Sequence, residues 1–175
     1  MKKETINKLM YLLLIFVIGS FIGWIYEEIF YLIYEGKLVN RGVLFGPWLP
    51  IYGIGSVFLY YLKPLKRNPL LLFLACVVVT GIVEYIIGWI GINIFDMRLW
   101  DYRGLFLNIN GIICLRSVVT FGIGGLLFHY LLEPFIEKLF KKHSYKKEKI
   151  VSVVFIALLL LDVVLSVLYR NPILY

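Results

Sequence analysis

The chain is poor in the residues that soluble catalysts rely on. It has two cysteines, Cys76 and Cys114, and two histidines, His129 and His143. No His, Cys and carboxylate fall at metal-ligand spacing, so neither a metal nor another cofactor is expected. Both thiols lie in apolar surroundings, which reads as packing rather than a disulfide. No Ser–His or Cys–His pair supports a covalent mechanism. No GxxxxGK[ST] loop offers a nucleotide site. Charge is also scarce, at 17% of residues, and no stretch reads as a soluble domain.

What fills the chain is hydrocarbon. Of 175 residues, 61% are apolar, and the mean hydropathy is +0.87. A helix of about 20 apolar residues spans a bilayer. Five runs qualify, at 9–34, 43–62, 69–91, 112–132 and 150–169. The expectation is an all-α integral membrane protein, residues 1–175 forming a single transmembrane domain of about five helices. The first run follows Met1-Lys2-Lys3 as a secretory signal would, but it is too long and no A-x-A site follows, so it reads as a retained helix.

The net charge of +7 reports orientation rather than nucleic-acid binding, and no nucleic-acid partner is expected. With a cytoplasmic N-terminus, the inner segments hold Lys2, Lys3, Lys8, Lys63, Lys66, Arg67, Lys138, Lys141, Lys142, Lys146, Lys147 and Lys149. These are 12 of the 18 basic residues. The bias places the N-terminus inside and the C-terminus outside. The basic run 138–149 reads as a cytoplasmic loop held near anionic membrane lipids.

Two segments depart from regular helix. Residues 42–55 carry Gly42, Gly46, Pro47, Pro50, Gly53 and Gly55. Such a stretch cannot make a straight helix, so helix two is expected to be broken at its start. Its freed carbonyls would be available to a ligand, or the break would serve close glycine packing. Residues 92–111 mix aromatics with Asp96, Arg98, Asp101, Arg103, Asn108 and Asn110. They are too polar to span and too apolar for open water, which predicts an interfacial or re-entrant segment over the outer end.

Carboxylates in the spanning runs point to a site. Glu27, Glu28, Glu84 and Asp162 each cost roughly 2.5–3.5 kcal/mol on insertion scales. Trp24, Glu27, Glu28, Tyr31 and Glu35 form one helical stripe, and Gly81, Glu84, Tyr85, Gly88 and Trp89 form another. Glu27 lies about 27 Å past Leu9 and Glu84 about 22 Å past Pro69. Both fall in the outer third of a core about 30 Å thick. Arg41, Asp101, Asn108, Asn110 and Arg116 are expected at that level. A structural Glu84–Arg116 ion pair, or simple snorkelling, would explain some of these residues without activity. Together they suggest a polar cavity able to bind a zwitterionic or phosphate headgroup, carry protons, or supply a general base. Asp162, with Ser166 one turn on, is expected to bond a neighbouring segment or serve a proton path.

Five ordered stretches carry a resemblance: GWIYEEIFY (23–31), LVNRGVLFGPWLPIYGIG (38–55), EYIIGW (84–89), LWDYRG (99–104) and NINGIICLRS (108–117). Across most of residues 10–125 the chain resembles the ABC-transporter permease family of CmpB type, or type IV. The resemblance implies a bacterial multi-pass plasma-membrane protein and, as partner, an ATPase subunit or a homo-oligomer. It implies roles at Glu27, Asn40, Arg41, Gly46, Pro47, Pro50, Glu84, Trp89, Trp100, Asp101, Asn110 and Arg116. With Glu28 from the stripe, the candidate substrate-binding set is Glu27, Glu28, Asn40, Arg41, Glu84, Trp89, Trp100, Asp101, Asn110 and Arg116. A transport component is one reading. A membrane enzyme or binder acting on lipid headgroups at the outer leaflet is another, and an accessory protein stabilising a larger complex is a third.

Overall fold

A computed structural model describes residues 3–38 and 42–169. The elements are α1 (Lys3–Glu35), α2 (Pro50–Tyr60), a 3-10 turn (Lys63–Arg67), α3 (Pro69–Phe95), α4 (Leu115–Leu127), a π turn (Phe128–Leu132), α5 (Glu133–Lys142) and α6 (Tyr145–Tyr169). No β-strand occurs among the described residues. Four stretches there are long and apolar enough to cross a membrane: Lys3–Tyr34, Pro69–Phe95, Leu115–Lys142 and Tyr145–Tyr169. In α1, α3 and α6 the apolar side chains point to all sides rather than along one stripe, as hydrocarbon surroundings require. The protein is an all-α membrane protein.

Helix two is shorter than the run 43–62. Residues 42–49 are irregular, and α2 begins at Pro50 and covers 11 residues. That is about 16 Å, half of a hydrocarbon core. Pro50 opens the helix because a first-turn residue needs no N–H partner. The fourth span runs further than 112–132 suggests. It passes through the π turn, where the Glu133 N–H reaches back to the Phe128 carbonyl, and continues as α5.

The chain gathers into two compact units. The first holds the chain up to Gly53 and the stretch from Phe135 onward, and the second is Ile54–Pro134. In the first unit α1 packs against α6. The Tyr11 and Phe140 rings meet edge to face at 5.1 Å. The Lys3 ammonium sits 5.4 Å from the centre of the Tyr145 ring. Both helices therefore begin at one end and run parallel. The chain entering α2 lies on α1: the Leu49 N–H donates to the Ser20 carbonyl at 3.0 Å. A side chain at Gly53 would strike Phe16 and Ser20, and one at Gly23 would strike Tyr52.

In the second unit α3 and α4 pack as an antiparallel pair. Gly81 faces Val118, Gly122 faces Phe73 and Val77, and Gly125 faces Cys76 and Leu59. Small residues let such backbones approach closely in lipid. Asn68 caps α3 by accepting the Leu71 N–H at 3.1 Å.

Residues 96–114, between α3 and α4, form an ordered cap. The Tyr102 N–H donates to the Gly111 carbonyl at 2.8 Å. Trp100 Nε1–H donates to the Ile112 carbonyl at 2.7 Å. Gly111 has φ +67° and faces Arg103 and Asp101, where a Cβ would collide with Arg103.

Candidate functional site

Glu84 is the centre of the second unit's polar residues. It sits on α3 opposite the first turn of α4 and is only 3% exposed. Tyr102 Oη–H donates to its Oε1 at 3.0 Å, and Ser117 Oγ–H donates to Oε2 at 2.9 Å. Each donor is held by local structure. Ser117 belongs to the cap of α4, where its Oγ accepts the Cys114 N–H at 3.1 Å and its own N–H reaches Cys114 Sγ at 3.4 Å. Tyr102 is held through its N–H by Gly111. Gly88, one turn along α3, leaves room for Ile112 and Trp100. Asn110, in a left-handed conformation at φ +56°, donates from Nδ2 to Tyr85 Oη at 2.8 Å.

Asp101 organises this cap rather than touching Glu84. Its Oδ1 accepts the Arg103 N–H at 2.9 Å, and its carboxylate takes Arg103 Nε–H at 2.7 Å and Nη2–H at 2.5 Å. Arg98 Nη1 lies 3.8 Å away. The Arg103 side chain first, and its N–H next, hold the Asp101 carboxyl down at about 2, and Asp101 in turn raises Arg103.

The rest of the expected set is distributed as follows. Trp89 is 46% exposed, on the outside of α3. Arg116 is exposed in the first turn of α4. Glu27 and Glu28 belong to the first unit, where Tyr52 Oη–H donates to Glu27 Oε1 at 2.6 Å and Glu28 is buried. Asn40 and Arg41 lie outside the described residues.

A second polar centre occupies the first unit. Asp162 of α6 receives the Phe45 N–H at 3.0 Å, the Gly46 N–H at 2.9 Å and Trp48 Nε1–H at 2.6 Å. Ser166 Oγ–H donates to it at 3.0 Å, and the Phe45 N–H also points at Ser166 Oγ. The break before α2 thus presents amide donors to a carboxylate. Two successive amides pointing at one anion make a nest.

One centre escaped the sequence. Glu133 is fully buried at the π turn and meets Lys63 Nζ at 2.7 Å, with buried His129 on the same turn. It stands at the head of a stretch that turns basic from Lys138 on, and so reads with that stretch as loop. The only signal was a π-turn register that composition does not encode.

Spanning helices, a broken second helix and buried carboxylates held by hydroxyl and amide donors define a polytopic membrane protein with a polar interior. The family described as "Putative ABC-transporter type IV" has a model that matches residues 14–167, and the chain belongs to that family. No curated protein and no solved structure matches it.

Proposed function

We propose that the chain is the permease component of a bacterial plasma-membrane transporter, with a polar substrate site centred on Glu84. The observation that carries this is the carboxylate itself: 3% exposed in an apolar helix and bonded by two hydroxyls. A carboxylate in such a helix marks a pathway or a site by default. Hydroxyl donors rotate, so an ammonium or hydroxyl group on a substrate can take their place on the carboxylate. Trp100 and Asn110 shape the wall, and Asp101 builds the segment that brings Tyr102 to Glu84. Glu27, Glu28, Asn40, Arg41, Trp89 and Arg116 enter the proposal on sequence grounds.

The N-terminus is cytoplasmic in this reading and the C-terminus extracytoplasmic. The lysine bias supports that orientation, and so does the parallel course of α1 and α6, which puts Lys3 beside the basic stretch at Tyr145. The partner is an ATPase subunit or a second copy of the chain. The test is purification of the tagged chain from its own membranes in mild detergent. A stoichiometric ATP-hydrolysing subunit is expected, with its ATPase rate altered by Glu84→Gln at unchanged yield. Headgroup chemistry by the isolated chain without ATP would replace the transporter reading with the enzyme one.

A further inference from the structure

The tip of the segment between α3 and α4 turns three large apolar side chains outward. Phe106 is 74% exposed, Leu107 64% and Ile109 53%. Leu107 is held in the left-handed region at φ +52°, which side chains other than glycine, asparagine and aspartate rarely adopt.

Two features separate this tip from an ordinary wet loop. Part of its backbone is satisfied from within. The Phe106 carbonyl accepts the Leu115 N–H at 3.3 Å, and the Ile109 N–H donates to the Ile113 carbonyl at 2.9 Å. The Leu105 carbonyl accepts both the Asn108 N–H at 3.2 Å and Asn108 Nδ2–H at 2.9 Å. Irregular backbone close to hydrocarbon must find its partners inside the protein. The tip is also continuous with a lipid-facing surface. Exposed Ile94 and Phe95 close α3, and exposed Leu115 opens α4. The helices on either side of the segment both have the length and composition to cross the bilayer.

We propose that residues 106–109 form a lipid hook: Phe106, Leu107 and Ile109 enter the upper acyl region of the adjoining leaflet while Arg103, Asn108 and Asn110 stay at headgroup level. The occupant is the bilayer. Charge supports this depth, since Arg103 is the exposed cation at the base of the hook and its partner Asp101 lies behind it. The same base is closed by Tyr102 N–H on Gly111, and Tyr102 donates to Glu84. Tyr102 is thereby a positioning residue whose backbone is tied to a lipid-held element. The inference rests on α3 and α4 crossing the membrane and stands apart from any transported substrate or ATPase.

Nitroxide labels at Arg103→Cys, Phe106→Cys, Leu107→Cys and Ile109→Cys test it, one per protein, in phosphatidylcholine–phosphatidylglycerol nanodiscs. The native thiols Cys76 and Cys114 are buried and stay in place. The readout is collision with oxygen, which concentrates in lipid, against collision with a water-soluble nickel chelate. The oxygen-to-nickel ratio is expected to rise severalfold from position 103 to positions 106, 107 and 109. Equal ratios at all four positions would put the tip in water and overturn the hook. So would label–label broadening at 106 that vanishes on dilution with unlabelled chain, because a second copy would then cover it. Exclusion of both reagents from the tip would mean burial by protein and would overturn it as well. All four side chains are exposed, so the three tip positions give independent readings should one variant fail to fold.

Discussion

The carboxylate of Asp162 holds the backbone N–H of Gly46 at 2.9 Å across 116 residues of sequence. With Phe45, Trp48 and Ser166 it fixes the irregular chain before α2 to the middle of α6. Hydrogen bonds to a charged acceptor are worth about 1.5–3 kcal/mol each. Asp162→Leu removes the acceptor of the Gly46 amide and the Trp48 indole N–H, and leaves the Phe45 amide with Ser166 Oγ alone of the two acceptors. A loss of at least about 3 kcal/mol is expected, with rapid proteolysis near residues 42–49. Thermal unfolding and limited proteolysis in nanodiscs check this. Unchanged stability and protection would mean that the carboxylate does not hold this stretch.

The glycines of α4 are predicted to respond in opposite directions. A Cβ at Gly125 would stand 2.5 Å from Cys76 Sγ and 2.6 Å from its Cβ, and one at Gly122 2.6 Å from Val77 Cγ2. Overpacking of this kind costs about 1–3 kcal/mol. Gly124 has nothing within 4 Å of an added Cβ. There the gain in helix propensity, about 1 kcal/mol, stands alone. Gly125→Ala and Gly122→Ala should lower the unfolding temperature, and Gly124→Ala should raise it. Equal shifts at all three positions would contradict the α3–α4 packing.

Acid should loosen the cap over α3 and α4 only late. The Asp101 carboxyl is held at about 2 by Arg103. Its ordinary value is about 3.9. A depressed folded value means that stability is present above about 3.9 and is lost as pH falls towards 2. Protection of the Tyr102 and Arg103 amides from hydrogen exchange, taken against the intrinsic rate at each pH, should hold from neutrality down to about pH 4 and then fall. Asp101→Asn should lose that protection at every pH. A wild-type transition near pH 6 would assign the cap to another group.

Lys63 and Glu133 should show modest coupling in a double-mutant cycle. Glu133 is fully buried, but the Lys63 side chain is 43% exposed. Water screens the exposed partner, so the coupling between Lys63→Ala and Glu133→Gln is expected near 1 kcal/mol. Fully buried pairs lose about 3–5 kcal/mol when one partner is removed. A value in that higher range would mean that Lys63 is shielded in the membrane.

Those contacts also mark what could be read in one dimension. The break at Pro47 and Pro50 was visible because proline chemistry is local. The burial of Gly81, Glu84 and Gly88 followed from helical periodicity. Trp89 shares that arithmetic yet lies outside, because the eighth step of a 3.6-residue turn drifts some 80° from the first. The resemblance in five ordered motifs gave the family. What stayed hidden was pairing: that Asp162 would meet Gly46, that Ser117 rather than Arg116 would hold Glu84 at 2.9 Å, or that Glu133 would be buried against Lys63. Composition reports a residue's cost in lipid, but its partner is settled by packing.

The tether between Asp162 and residues 45–48 also sets an order of events during synthesis. The N–H groups of Phe45 and Gly46 leave the ribosome more than a hundred residues before the carboxylate that receives them. Throughout that interval they must rely on water, headgroups or the insertion machinery. Interrupting translation before the last helix should therefore yield an intermediate with an open, protease-sensitive entrance to α2, and completing that helix should latch it.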